Sequence, residues 1–297
     1  MATGIFLGLM AAFLQSVNYI CNATFSARHP VGALTQFLLV HLTVGALSLL
    51  ILPFVWDDQA LSPGNYALPL VGAVLTLIAG QTALYRAIRL CVASRVSPLL
   101  GIKVMVLALI GVFWLHEQYQ IQQWLGVFLC VAGAIWLSLS GGIISGPALF
   151  WVVMTCVSYA LADLCVVALI SCFEGLPTLQ AAGLSVALCY LLVGVICLAW
   201  WPRLNDVELL KASIPSAVSW FMAVTCLFGC FAFVGVVFGG ILQSSRGVIS
   251  ILLGLGLTWW GFRFAEPLPQ RRVFIQRFSA ASLMLVAITM FTLGATQ

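Results

Sequence analysis

The sequence predicts an all-α membrane protein: ten transmembrane helices arranged as two inverted five-helix repeats. Three observations predict it. Of 297 residues, 63% are hydrophobic and only 7% charged, with a mean hydropathy of +1.15, so lipid rather than water must cover most of the surface. Apolar runs follow one another along the chain, and about 20 residues at the helical rise cross a hydrocarbon core roughly 30 Å thick. The second half repeats the order of the first.

Ten spans are predicted, at 3–24, 33–55, 66–88, 94–115, 121–140, 146–171, 178–201, 213–238, 244–264 and 274–295. The first lacks a positive n-region and runs on into polar Asn18 and Asn22, so it reads as a retained helix and not as a cleaved leader. The fourth and fifth form a hairpin. An apolar run from Leu99 to Leu115, broken only by Lys103, meets the polar hinge His116-Glu117-Gln118-Tyr119-Gln120 and then a second run from Ile121 to Leu139. Connections such as Asp57-Asp58-Gln59 through Ser62-Pro63-Gly64-Asn65 are polar and turn-rich, and none is long enough for a folded domain. The ten cysteines lie almost entirely inside apolar runs, with no Cys-x-x-Cys pair, which is the behaviour of small packing groups. No cofactor or metal is called for.

The repeat division falls at residues 1–143 and 144–297. Phe6, Met10 and Cys21 align with Phe150, Met154 and Cys165 at an offset of 144, and Glu117 aligns with Glu266 at 149. Each half holds an odd number of spans, so the second enters the bilayer in the opposite sense to the first. That is the inverted repeat of many secondary transporters, whose binding site lies between the halves.

The segment from Ala93 to Gly142 carries Ser97-Pro98, Glu117 closing the fourth span, and Trp124, Gly126 and Gly133 in the fifth. In this it resembles the drug/metabolite transporter superfamily, and specifically its ten-helix EamA-like permeases. The resemblance covers essentially the whole chain in helix count and half-repeat order. The second half departs from it: Gly247 stands against Pro98, and Pro267, Pro269, Arg271 and Arg272 follow Glu266 with no glycine in the last span until Gly294. The resemblance implies carrier-type movement of a small organic solute, often export and sometimes proton-coupled.

Orientation follows from the distribution of cations, which favour the cytoplasmic side of short loops. The odd-numbered connections and their flanks hold ten: Arg28; Arg86, Arg89 and Arg95; Arg203 and Lys211; Arg263, Arg271, Arg272 and Arg277. The even ones hold Arg246, and Lys103 lies within a span. This bias places both termini outside a cell (cytoplasmic or inner) membrane, whereas the resemblance implies termini in the cytoplasm.

Ionisable groups inside a bilayer are costly, on the order of 3 kcal/mol by insertion scales, and each is a candidate site. Lys103 in the fourth span and Asp163 in the sixth are the two deep charges. Either they face a cavity and bind solute or a proton, with Asp163 the proton-coupling candidate, or they form a permanent ion pair that only fixes the packing. Gln15, Asn18 and Asn22, with Tyr19 adjacent, share one face of the first span, and Thr155, Tyr159 and Asp163 share one face of the sixth. Such a stripe lines a cavity or makes interhelical hydrogen bonds. His41, Gln81 and Tyr85 are further substrate-binding candidates, as is Trp220, which can stack a flat apolar or cationic solute. Glu117 and Glu266 are expected to tie turns or flank a gate.

The expected function is a secondary transporter, a permease or exporter moving a small amphipathic metabolite by alternating access. The expected partners are this small-molecule solute and the lipid bilayer, with a homodimer left open and no nucleic acid. An intramembrane enzyme is the alternative. It needs a nucleophile with its base, paired carboxylates or a metal cluster, but His29, His41 and His116 are scattered and one carboxylate alone lies deep in a span. A selective channel would show rings of like charge or repeated carbonyl filters, and the sequence displays neither.

Overall fold

The computed structural model describes residues 1–90, 99–113, 116–138, 145–173, 175–199, 206–259 and, near the end, 276, 279, 283, 286–291, 293 and 294. Of the predicted features, Arg95, Ser97, Pro98, Arg203, Arg263, Glu266, Pro267, Pro269, Arg271, Arg272 and Arg277 lie outside the described residues. So does the side chain of Tyr85.

The described residues are all-helical. Helices α1 (Ala2–Arg28), α2 (Ala33–Val55), α3 (Ala67–Leu90), α4 (Lys103–Phe113) and α5 (Ile121–Ser138) come from the first half. The second half supplies α6 (Gly146–Ser171), α7 (Thr178–Leu198), α8 (Val207–Val234), α9 (Val236–Ser244) and α10 (Arg246–Trp259). Six of these, α1, α2, α3, α6, α7 and α8, contain stretches long and apolar enough to cross a bilayer among the described residues. The chain is a multi-pass membrane protein.

Local chemistry sets the helix ends. At the end of α1, Pro30 pushes the preceding residue out of the helical region, and His29 is accordingly extended. Pro177 stands as the N-cap of α7. Between α2 and α3 the Asp57 carboxylate accepts from the Gln59 N–H, and the Tyr66 hydroxyl donates to the Ala60 carbonyl.

Two elements differ from the expected spans. The fourth begins, in its described part, as a 3-10 turn at Leu100–Ile102 and becomes α-helical only at Lys103. The expected break between the eighth and ninth spans, at residues 239–243, is helical instead, and the chain turns at Gly235 and again at Ser245. Gly235 has φ +77°, a backbone conformation glycine adopts freely and side chains resist. Gly239 and Gly240, which look like a turn, are buried inside α9, where Leu107 and Val104 of α4 pack against Gly240.

The chain forms two compact units, each drawing on both sequence halves. The first comprises Met1–Leu75 and Cys165–Val234. In it α1 lies along α8, α8 packs on α2 and α7, and α2 packs on α7. The second comprises Thr76–Leu164 and Gly235–Gln297. There α9 packs against α4, α5 and the 3-10 turn. Leu99, Leu100 and Ala87 meet Val152 and Cys156 of α6 in a buried cluster flanked by Trp151 and Tyr159.

Candidate functional site

The second unit holds the charged centre. Lys103, the first residue of α4, is buried, and its Nζ donates to Asp163 Oδ2 at 2.6 Å and to Gln243 Oε1 at 2.7 Å. The lysine and aspartate side chains retain 7% and 14% of their exposure, so the lysine is buried and the aspartate largely so. Arg246, which opens α10 after the break at Ser245, lies within electrostatic reach of Asp163 and of Cys156. Thus two helices that each restart after an interruption begin on a cation, and both cations act on one carboxylate.

Lys103 and Asp163, from opposite halves, are therefore brought together as the expected ion pair. Gln243 and Arg246 were missed. The available signal was a polar residue followed by a cation inside a long apolar stretch, but the misplaced break assigned both to a loop and its flank. Tyr159, one helical turn before Asp163, lays its ring against Gly80, where an added Cβ would fall 2.6 Å from a ring carbon. Gln81 is the next residue of α3, half-buried. On the same two helices the Arg86 guanidinium lies 4.6 Å from the Trp151 ring centroid, a cation–π contact.

The other candidates belong to the first unit. Gln15 and Asn18 are buried on α1 and Tyr19 is half-buried. Asn18 Nδ2 donates to the Ser216 carbonyl at 2.7 Å and to Ser219 Oγ at 3.3 Å on α8. Its own Oδ1 accepts from Asn22 at 2.8 Å, and Asn22 Oδ1 accepts from Gln36 of α2 at 3.0 Å. This end of the polar stripe ties three helices. Replacing Asn18 with Ala is expected to destabilise the purified protein by about 1–2 kcal/mol in thermal unfolding, with a smaller loss for Ser219→Ala, whose bond is longer. His41 and Trp220 sit in an aromatic cluster with Phe37 and Tyr190.

Glu117 lies in the turn between α4 and α5. The Tyr119 hydroxyl donates to Glu117 Oε2, and the Glu117 N–H donates to the Gly111 carbonyl. Burial, reinforced by the neighbouring carboxylate, pushes the Tyr119 phenol well above its ordinary value, so it stays a donor at any physiological pH. Gly111 leaves room for this arrangement, since a Cβ there would meet the Tyr119 hydroxyl at 2.6 Å. Among the described residues no group of three or more His, Cys, Asp and Glu side chains is placed to hold a metal ion.

Residues 2–139 match the model of the EamA-like transporter family. This segment is EamA-like. It takes in α1 to α5, and with them Lys103 and Glu117, while Asp163 and Gln243 come from beyond it. An 84-residue stretch is 34% identical to a Sinorhizobium protein described as an uncharacterized transporter in the cobO 3′ region. The match covers 28% of this chain and spans 60% of that relative's length. A solved crystal structure, described only as that of a protein, superposes with a TM-score of 0.71 over 99% of this chain and 97% of its own, at 15% identity. That likeness is one of fold. Over residues 2–139 the expected resemblance to the EamA-like family is met.

Proposed function

We propose that the protein is a secondary carrier for a small amphipathic organic solute, with Lys103, Asp163 and Gln243 as its charged switch. The observation that carries this reading is the largely buried Lys103–Asp163 pair in a membrane-spanning chain whose residues 2–139 match the EamA-like transporter family. Charges are retained inside a bilayer where they mark solute or proton pathways. A pair of this kind holds one conformation while closed and is released when solute or a proton competes for one partner. Asp163 is the proton acceptor in this scheme, and Gln243 keeps the lysine hydrogen-bonded when the carboxylate leaves.

Two features support an inverted repeat of residues 1–143 and 144–297 as the machinery of alternating access. Repeat symmetry equates α1 with α6, α2 with α7 and α3 with α8, so a contact of α1 with α8 implies one of α6 with α3. Both occur. Leu7 meets Gly229 and Asn18 meets Ser216 along α1 and α8, while Cys165 meets Gly72 and Tyr159 meets Gly80 along α6 and α3. The symmetry also makes α2 and α7 partners of each other, and there Gly45 lies against Gly194, its equivalent at an offset of 149. The same offset relates Glu117 to Glu266. In this reading both termini lie on the outer side of the cell membrane, which the cation bias supports.

The test is transport by the purified protein in liposomes under an imposed pH gradient, with orientation read by an impermeant label on a cysteine introduced at residue 2. Saturable, gradient-driven movement of at least one solute from a broad metabolite panel is expected. Asp163→Asn is expected to reduce it by about tenfold or more while leaving solute exchange without a gradient intact. A panel that yields no saturable flux at any gradient overturns the carrier reading, and gradient dependence that survives Asp163→Asn overturns the proton assignment.

A further inference from the structure

Away from the charged centre, the first unit buries a second cluster with two unmet polar atoms. His41 of α2 is 4% exposed, and its Nδ1 lies 2.9 Å from the Phe37 carbonyl. A carbonyl only accepts, so the ring proton sits on Nδ1 and Nε2 presents a lone pair. Nε2 is buried and has no hydrogen-bond partner among the described residues. Trp220 of α8 meets the His41 ring edge-on, with centroids 6.4 Å apart. Its Nε1–H, a donor and nothing else, is buried and unmet in the same way. One orphan acceptor and one orphan donor thus occupy one cluster, where burial without a partner is costly.

We propose that His41 and Trp220 form a binding subsite for a neutral hydroxyl group carried on a planar apolar ring. A hydroxyl donates to His41 Nε2 and accepts from Trp220 Nε1–H at once. A carboxylate would serve the indole but face the imidazole lone pair, and an ammonium would serve the imidazole but face the indole N–H. Ring faces flank His41 and favour a flat body. Phe37 lies 4.0 Å from His41 between centroids, Tyr190 lies nearly parallel to it at 6.2 Å, and Phe228 adjoins Tyr190 at 6.4 Å. The two polar atoms are closed off in this conformation, so the cluster opens to admit the group. In that respect alone the subsite rests on the carrier reading.

The test uses the full chain in detergent micelles with ¹⁵N-labelled indoles, the Trp220 Nε1–H resonance being assigned by its loss in Trp220→Phe. Phenol is the probe, and toluene, of the same shape without the hydroxyl, is the control. Phenol is expected to move the Trp220 resonance downfield saturably, toluene to leave it in place, and His41→Phe to weaken phenol binding by about tenfold. If His41→Phe does not fold, His41→Gln, which keeps an acceptor, is expected to hold binding within about threefold. The subsite is refuted if toluene moves the resonance as phenol does. It is also refuted if phenol leaves the resonance unmoved in folded wild-type protein, the outcome when water alone meets the two atoms. Phenol binding without any transport would count against the carrier reading and leave the subsite standing.

Discussion

Asp163→Asn is expected to destabilise the protein by about 3–5 kcal/mol, the usual loss when one partner of a buried ion pair is removed. The change leaves the Lys103 ammonium buried with the Gln243 carbonyl as its acceptor, and it also removes the anion whose charge Arg246 feels. Lys103→Met is expected to cost less than Asp163→Asn, because the Asp163 carboxylate retains the field of Arg246. Combining the two changes is expected to recover most of the loss, since a neutral pair of similar shape leaves no buried charge uncompensated. Thermal unfolding of the four proteins in one detergent gives the coupling directly. Single losses below about 1 kcal/mol would mean that the pair is solvated in the bilayer, and the switch assigned to it would fall. A Lys103→Met protein less stable than Asp163→Asn would show that Arg246 does not act on the carboxylate.

The two partners of this pair were legible because nothing else so charged lies deep in an apolar run. Their pairing was one of two readings open to the sequence, the other being a solute-facing cavity, since position along a helix says nothing of which neighbour it faces. Gln243 escaped for a different reason. Gly239-Gly240 and Ser244-Ser245 are turn-like in composition, whereas Gly235, in the run Phe233-Val234-Gly235-Val236, carries no local mark of a turn. Which glycine takes positive φ is decided by packing: Gly240 is filled by Leu107 and Val104, and nothing lies within 4 Å of where a Gly235 Cβ would stand. The α1 stripe shows the same ambiguity. Spacing of three and four places Asn18 and Asn22 on one face for either a cavity or a strut, and only coordinates reveal Ser216 and Gln36 as the groups they bond. That the described residues are helical, and that six of the helices are long and apolar enough to cross a bilayer, needed no such context, because hydropathy and length determine it.

Gly45→Leu is expected to cost more than about 3 kcal/mol, beyond the usual range for overpacking, because the obstacle is backbone and not a movable side chain. A Cβ at Gly45 would fall 2.6 Å from the Gly194 Cα and 3.3 Å from the Tyr190 carbonyl, and a Cβ at Gly194 would fall 2.7 Å from the Gly45 Cα. Helices α2 and α7 approach this closely only because both positions are glycine, the small-residue packing by which membrane helices associate. The milder Gly45→Ala and Gly194→Ala are expected to cost about 1–3 kcal/mol each, and similar amounts, since each pushes on the other's Cα from a mirrored position. Their combination should cost less than the sum, because the first change already separates the helices. Unfolding of the three alanine variants measures this. Near-equal single losses with sub-additive coupling are what a repeat axis through Gly45 and Gly194 requires, since residues at such an axis meet their own equivalents. Losses that differ by more than about 1 kcal/mol, or that add fully, would mean that the two glycines pack in unlike surroundings and would remove the support they lend to an inverted repeat.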